Sequence, residues 1–162
     1  MSAEDRKRVR ETLQKYTKAA AWEARCIRER GGTDFGYLRA HLRGYIFNKY
    51  MMPEGECRSD RIAALTEASL ARMMKVTPEL AAQLDTARSC AGATSATVKK
   101  ALLFQAMERE FQVVLPADRA VAAKDVTELA RVLMPHLNSR MFTLPLNGWI
   151  LARFPPCFVA FP

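Results

Sequence analysis

The side chains that could perform chemistry are few and widely spaced. The four cysteines and two histidines are Cys26, Cys57, Cys90, Cys157, His41 and His136. The cysteines form no CxxC and have no neighbouring histidine, so we expect neither a zinc site nor a disulfide scaffold. GxSxG, HExxH and phosphate-binding glycine loops are also missing from the sequence. We therefore expect a protein that is not an enzyme and binds no metal.

The two histidines have ordinary structural interpretations. His41 lies within an amphipathic pattern, where a histidine is usually part of a helix face. His136 follows Pro135, at which a helix is expected to stop. We therefore assign direct chemistry to neither residue.

Three hydroxyl side chains cluster at the predicted start of a helix. Thr94, Ser95 and Thr97 follow a loop of small polar residues. Each can cap a helix, because its side-chain oxygen can accept a hydrogen bond from a free backbone N–H group. An exposed serine at the tip of a helix could also be a nucleophile that a transferase reaches. Both roles remain open for Ser95.

Composition limits the class of protein and its partners. The chain has 162 residues, 49% of them apolar, which is enough to bury a core. Its net charge is 25 − 17 = +8, which favours acidic partners such as nucleic acid or an acidic protein face. The sequence shows no apolar run of about 18 residues and no signal-peptide pattern near its start. We expect a cytoplasmic protein that does not bind membranes.

The first 57 residues have the pattern of a helical hairpin. Apolar residues recur at helical spacing from residue 3 to about residue 30, and Gly31 and Gly32 then end the helix. Thr33 or Asp34 can cap a second helix, and residues 53–59 form the best linker. The large apolar side chains are too many to leave in water, so the hairpin should dock on the rest of the chain or form an oligomer interface. They are Leu13, Tyr16, Trp22, Phe35, Leu38, Leu42, Tyr45, Ile46 and Phe47.

Residues 58–137 are predicted to hold four helices with short connections. Ile62, Leu65, Leu70 and Met73 or Met74 should face inward from the first, and Thr77 with Pro78 should start a short turn. After a loop from about residue 85, the second helix should bury Val98, Ala101, Leu102, Gln105, Ala106 and Phe111. A short helical turn over residues 117–123 precedes a capping box at Asp125 and Glu128. The last helix should bury Val126, Leu129, Val132 and Leu133 and end at Pro135. No alternating run of strand length stands out, so the fold class is all-α.

The segment 138–162 differs in kind from the rest. It combines prolines with a row of aromatic residues and cannot form a regular helix. Packing on the helical body, a hook that binds a partner, and a C-terminus altered by a change of reading frame are the three interpretations. The aromatic residues are Phe142, Trp149, Phe154, Phe158 and Phe161.

The helix order in residues 61–137 resembles the acyl carrier protein fold, a four-helix domain that carries acyl groups on a phosphopantetheine arm. The run LFQAMEREFQVVLP, residues 103–116, looks like the second helix of that family and its exit. The run DVTELA, residues 125–130, resembles the start of its fourth helix. The resemblance implies a serine at the beginning of the second helix, to which 4'-phosphopantetheine is attached.

The attachment site departs from the pattern of that family. Counting back from Phe111 places Thr97 where the serine belongs, whereas the approach Gly92-Ala93-Thr94-Ser95 places Ser95 there. The second helix of the family is usually acidic, but this one begins with Lys99 and Lys100. Like charges at an interface slow association, so the usual partner enzymes would be repelled. We therefore expect no phosphopantetheine arm.

Two functions from different classes remain. The first is a noncanonical carrier-like protein that acts as a non-enzymatic carrier or as an adaptor that binds another protein. The alternative is a basic helical module that binds nucleic acid through the arginines and lysines of the first helix. These are Arg6, Lys7, Arg8, Arg10, Lys15, Lys18, Arg25, Arg28 and Arg30. Glutamates interrupt the basic run, and a helix of mixed charge is usually a solvated face.

Overall fold

The computed structural model describes residues 2–53, 55–87 and 94–138, and these fold into seven helices with no strand. The predicted all-α fold is therefore confirmed. The segment 139–162, with its aromatic residues, lies outside the described residues, as do Cys90, Gly92 and Ala93. The helices are α1 (Ala3–Arg30), α2 (Phe35–Lys49), α3 (Ile62–Met74), α4 (Pro78–Ala87), α5 (Ser95–Phe111), α6 (Ala117–Ala122) and α7 (Val126–Asn138).

Helices α1 and α2 form the expected hairpin. Ser2 begins α1 with a capping box, in which its hydroxyl accepts from the N–H of Asp5 and the carboxylate of Asp5 accepts from the N–H of Ser2. The turn at Gly31 and Gly32 lies against the end of α7. A Cβ atom on Gly32 would come within 2.2 Å of Asn138 Oδ1, so a larger residue there would require the Asn138 side chain to move.

The hairpin shares one hydrophobic core with the remaining helices. Leu38, Leu42, Tyr45 and Ile46 are fully buried, and α2 packs against both α1 and α7. Of the residues expected to dock the hairpin, Tyr16 and Phe35 are only partly buried and Leu13 is 47% exposed. Trp22 contradicts the prediction, because it is 51% exposed and its ring meets His41 only at one edge.

Polar contacts tie the segment after α2 back to that helix. The side chain of Asp60 accepts from Arg43 Nε at 2.7 Å and from Arg39 Nη2 at 2.6 Å. Arg43 also donates to the backbone carbonyl of Cys57, at 3.0 Å. The described residues of the predicted linker form no helix. The contacts of Arg43 and Arg39 hold this segment against α2.

Between residues 62 and 138 the described chain contains five helices, one more than predicted. The additional helix is α4, where the sequence indicated only a turn. Pro78 starts it with a preset φ angle, and Glu79 adds a negative charge in its first turn, where the helix dipole favours one. Ala81 is buried, so α4 also gains stability from packing.

The buried face of α5 differs from the predicted one. Leu103, Phe104, Met107 and Phe111 face the core, whereas Leu102 is 58% exposed. Helix α5 carries two apolar stripes, and the one with the larger side chains is buried. The prediction that Met73 or Met74 faces inward is also wrong, because the two side chains are 61% and 38% exposed.

Helix α7 begins as predicted and ends later. Asp125 Oδ1 accepts from the N–H of Glu128 at 2.8 Å, and Glu128 reaches back to the N–H of Lys124. The helix continues past Pro135 to Asn138, so the prediction that Pro135 ends it is wrong. Only one turn remains beyond the proline, so little of the helix depends on the hydrogen bond that a proline cannot donate.

Candidate functional site

The start of α5 is organised by two caps, one local and one from α4. Thr94 is the N-cap residue, and its hydroxyl oxygen accepts from the N–H of Thr97 at 3.1 Å. Asp85, in the last turn of α4, accepts from the N–H groups of Ser95 at 2.8 Å and Ala96 at 3.0 Å. These bonds occupy the free N–H groups of the first turn of α5.

The hydroxyl of Ser95 also bonds to the carboxylate of Asp85. This side-chain hydrogen bond, followed by the backbone bond from Ala96, lowers the pKa of Asp85 below its ordinary value of 3.8. Asp85 is therefore ionised at neutral pH, with its negative charge beside the hydroxyl. Sequence reasoning missed Asp85, because the contact joins residues ten positions apart on two helices.

Ser95 lies on the outward face of α5 together with two exposed apolar residues. Residues 98 and 102 follow residue 95 by three and seven positions, so the three side chains lie on one side of the helix. Ser95 is exposed, and Val98 and Leu102 are 49% and 58% exposed. We call these three residues the α5 face. The sequence pattern predicts that Val98 and Leu102 are buried, whereas in the structure both are exposed beside Ser95.

Lys99 and Lys100, which follow Val98 on α5, contact neighbouring parts of the chain. Lys99 Nζ lies 3.2 Å from Met73 Sδ and 5.2 Å from the ring centre of Tyr50. Lys100 Nζ donates to the backbone carbonyl of Val121 at 2.7 Å. Partial burial lowers the pKa of both amines. Met73, which is exposed, therefore lies near the face, next to Lys99.

A second polar cluster lies between α1 and α2. His41 Nδ1 is 2.7 Å from Glu23 Oε2, and the rings of Trp22 and Tyr37 contact the imidazole. A Cβ atom on Gly44 would lie 2.5 Å from Glu23 Oε1, so the missing side chain makes room for this carboxylate. The pair joins the two helices in a way that the sequence spacing does not indicate.

The pocket beside this pair lacks a nucleophile. It has a volume of about 360 Å³. A histidine oriented by a carboxylate can act as a general base, but such a base needs a nucleophile within reach. None of the lining residues is a serine, threonine or cysteine. They are Glu23, Ala40, His41, Arg43, Gly44, Phe47, Asn48 and Met52.

The remaining residues with chemical potential are dispersed among the described ranges. Cys26 is buried, Cys57 is partly buried and neither forms a disulfide within the described part of the chain, and His136 is partly buried on α7. No group of three or more histidine, cysteine, aspartate or glutamate side chains in the described ranges could hold a metal ion. No described helix is long and apolar enough to cross a membrane.

Comparison with known proteins does not identify a family for this chain. No family model, no curated protein and no solved structure matches the chain. The resemblance to acyl carrier proteins therefore stays a prediction.

Proposed function

We propose that this protein is a non-enzymatic, carrier-like adaptor that binds a partner protein through the α5 face. The observation that carries the proposal is the exposed pair Val98 and Leu102, in line with Ser95 at the start of α5. A helix with a second apolar stripe in water gains free energy when a partner covers that stripe.

The charges near the α5 face indicate the kind of partner. Lys99 lies next to this face and Arg109 is exposed further along the same side of the helix. A partner with an apolar centre and an acidic rim would complement this arrangement, and opposite charges would speed its association. We therefore propose an acidic protein surface as the partner.

The surroundings of Ser95 support an adaptor without a phosphopantetheine arm. A phosphate ester on Ser95 would remove the hydroxyl proton that the side chain donates to Asp85. It would also place a negative phosphate beside a negative carboxylate, which is unfavourable. These surroundings of Ser95 support an adaptor whose Ser95 carries no arm.

One experiment tests for the arm directly. The full chain is incubated with coenzyme A and a phosphopantetheinyl transferase, and its intact mass is measured. We expect no gain in mass. A gain that Ser95→Ala abolishes would contradict the proposal and restore the carrier interpretation.

A second experiment tests for the partner. A photo-crosslinking amino acid at position 98 captures a protein in cells, and the captured protein is then purified for binding measurements. Leu102→Asp should weaken its binding at least tenfold, because a buried unpaired charge at an interface is costly. The matched control is Val114→Asp, at the most exposed apolar residue outside the α5 face, which should leave binding unchanged. Equal effects of the two variants would contradict the proposal.

A further inference from the structure

The N-terminal half of α1 extends beyond the helix that covers its other half. Helix α2 has 15 residues and α1 has 28, so about half of α1 has no partner in the hairpin. Residues 2–15 are all exposed. At about 1.5 Å per residue, the uncovered part of α1 is about 20 Å long.

This overhang carries a concentrated positive charge. Residues 2–18 hold six basic residues and three acidic residues, Glu4, Asp5 and Glu11, which gives 6 − 3 = +3. All six are exposed, and of these only Arg8 forms an ion pair among the described contacts, with Glu4 at 3.6 Å. We call them the arm cations. They are Arg6, Lys7, Arg8, Arg10, Lys15 and Lys18.

Two basic residues in the covered half of α1 are less free to bind a ligand. Arg28 donates to the backbone carbonyl of Glu110, and the guanidinium of Arg30 lies 4.7 Å from the ring centre of Tyr37. Arg25 is exposed and has no such contact among the described residues, so the basic surface of α1 is densest in the overhang but also includes Arg25.

The placement of the arm cations favours nucleic acid over a membrane. At 100° per residue they span roughly 200° of the helix circumference. A groove of a nucleic acid surrounds a helix with phosphates on both sides, and so matches a wide arc of charge. A helix on a membrane needs a broad apolar face, with tryptophan, phenylalanine or leucine. Only Val9 and Leu13 provide apolar side chains on this part of α1.

The shape of the overhang selects the kind of nucleic acid. A helix about 10–12 Å across fits the major groove of B-form DNA, which is about 12 Å wide. The major groove of duplex RNA is too narrow for it, and single strands are usually bound by stacking on aromatic rings. The nearest aromatic residue is Tyr16, at the edge of the overhang.

We propose that the overhang of α1 binds the phosphate backbone of double-stranded DNA in the major groove, independently of the α5 face. The contacts would be sequence-independent, since arginine and lysine would meet phosphates rather than base edges.

The test uses the full chain and a fluorescent DNA duplex of 20 base pairs and mixed sequence, with anisotropy measured from 50 to 200 mM NaCl. Six phosphate contacts, one for each arm cation, predict that log Kobs falls against log[NaCl] with a slope of about −5.4. The variant Arg6→Gln, Lys7→Gln, Arg10→Gln should bind at least tenfold more weakly at 100 mM NaCl, with a slope less steep by about 2.7. Glutamine keeps the helix propensity, which circular dichroism checks.

The matched control removes the same charge elsewhere. The variant Arg58→Gln, Arg119→Gln, Lys124→Gln changes three exposed residues outside α1 and should bind DNA as the wild type does. An equal loss in both variants, or no binding at 50 mM NaCl, would overturn the proposal. So would duplex RNA binding as tightly as DNA, or binding to phosphatidylserine vesicles without binding to DNA.

Discussion

Helices α2 and α5 are similar in length but differ in how much of their surface is covered. Helix α2 lies between α1 and α7, and its large apolar residues are buried. Helix α5 buries one stripe and leaves Val98 and Leu102 in water. A high apolar content therefore does not show that every face of a helix belongs to the core. The apolar face of α2 is buried and stabilises the fold, whereas the second apolar stripe of α5 is exposed.

The largest expected effect is on the buried side of α5. Phe111 is fully buried and its ring centre lies 4.7 Å from that of Tyr45 on α2. Phe111→Ala should lower the free energy of unfolding by about 3 to 5 kcal/mol, because it leaves a cavity between the two helices. Urea unfolding measures this change. A loss below about 1 kcal/mol would show that α5 does not share the core with α2.

A smaller effect is expected at the polar junction of the same helices. Glu110 accepts from Lys49 Nζ at 2.5 Å and from the Tyr45 hydroxyl at 3.1 Å. Glu110→Ala should cost about 1 to 3 kcal/mol, because it leaves a buried hydroxyl and a partly buried ammonium without their acceptor. A double-mutant cycle with Lys49→Met isolates the pair. Additive losses would mean that Glu110 and Lys49 do not interact.

The attachment of α2 to the following segment should depend on pH. Burial raises the pKa of Asp60, but hydrogen bonds and charges from Arg43 and Arg39 outweigh it, so the pKa lies below the ordinary 3.8. The unfolded chain then binds more protons, so this contribution is complete above pH 3.8 and is lost as pH falls through the folded pKa.

Asp60→Asn tests this dependence, because asparagine does not titrate. The variant should be less stable than the wild type at pH 7 by about 1 kcal/mol, and the gap should close as the pH falls below 3.8. A gap that stays constant with pH would refute the role of these charges.

The smallest expected effect is on the outward side of α5. Leu102→Ala should change the free energy of unfolding by less than about 0.5 kcal/mol, because the side chain is mostly in water and alanine favours helices. The same urea unfolding experiment used for Phe111 measures it. A loss of 2 kcal/mol or more would place Leu102 in the core and remove the basis of the α5 face.

Local signals explain what could be predicted from the sequence. Glycines at the end of α1, Asp34 before α2, and Asp125 with Glu128 before α7 act within a few residues of their own positions. Thr94 was likewise among the predicted caps of α5. Such signals fix where helices begin and end because they satisfy backbone groups close in sequence.

Contacts between distant residues explain what could not be predicted. Helix α5 has two apolar stripes, and its neighbours in space decide which one is buried. Asp85 meets Ser95 across a loop, and Glu110 meets Tyr45 from 65 positions away. Neither partner is visible in the spacing of the sequence. The candidate site could therefore be located at the start of α5 from the sequence. The residues that surround it could not be predicted.

The packing of α2 against α7 has a consequence for synthesis on the ribosome. The hairpin is complete at Lys49, but the helix that covers its other side starts only at Val126. While the intervening residues are translated, Leu38 and Leu42 have no partner from the later helices. Apolar surface exposed in this interval is a target for chaperones and a starting point for aggregation. Slow elongation between these two points should therefore lower the yield of folded protein more than slow elongation after Asn138.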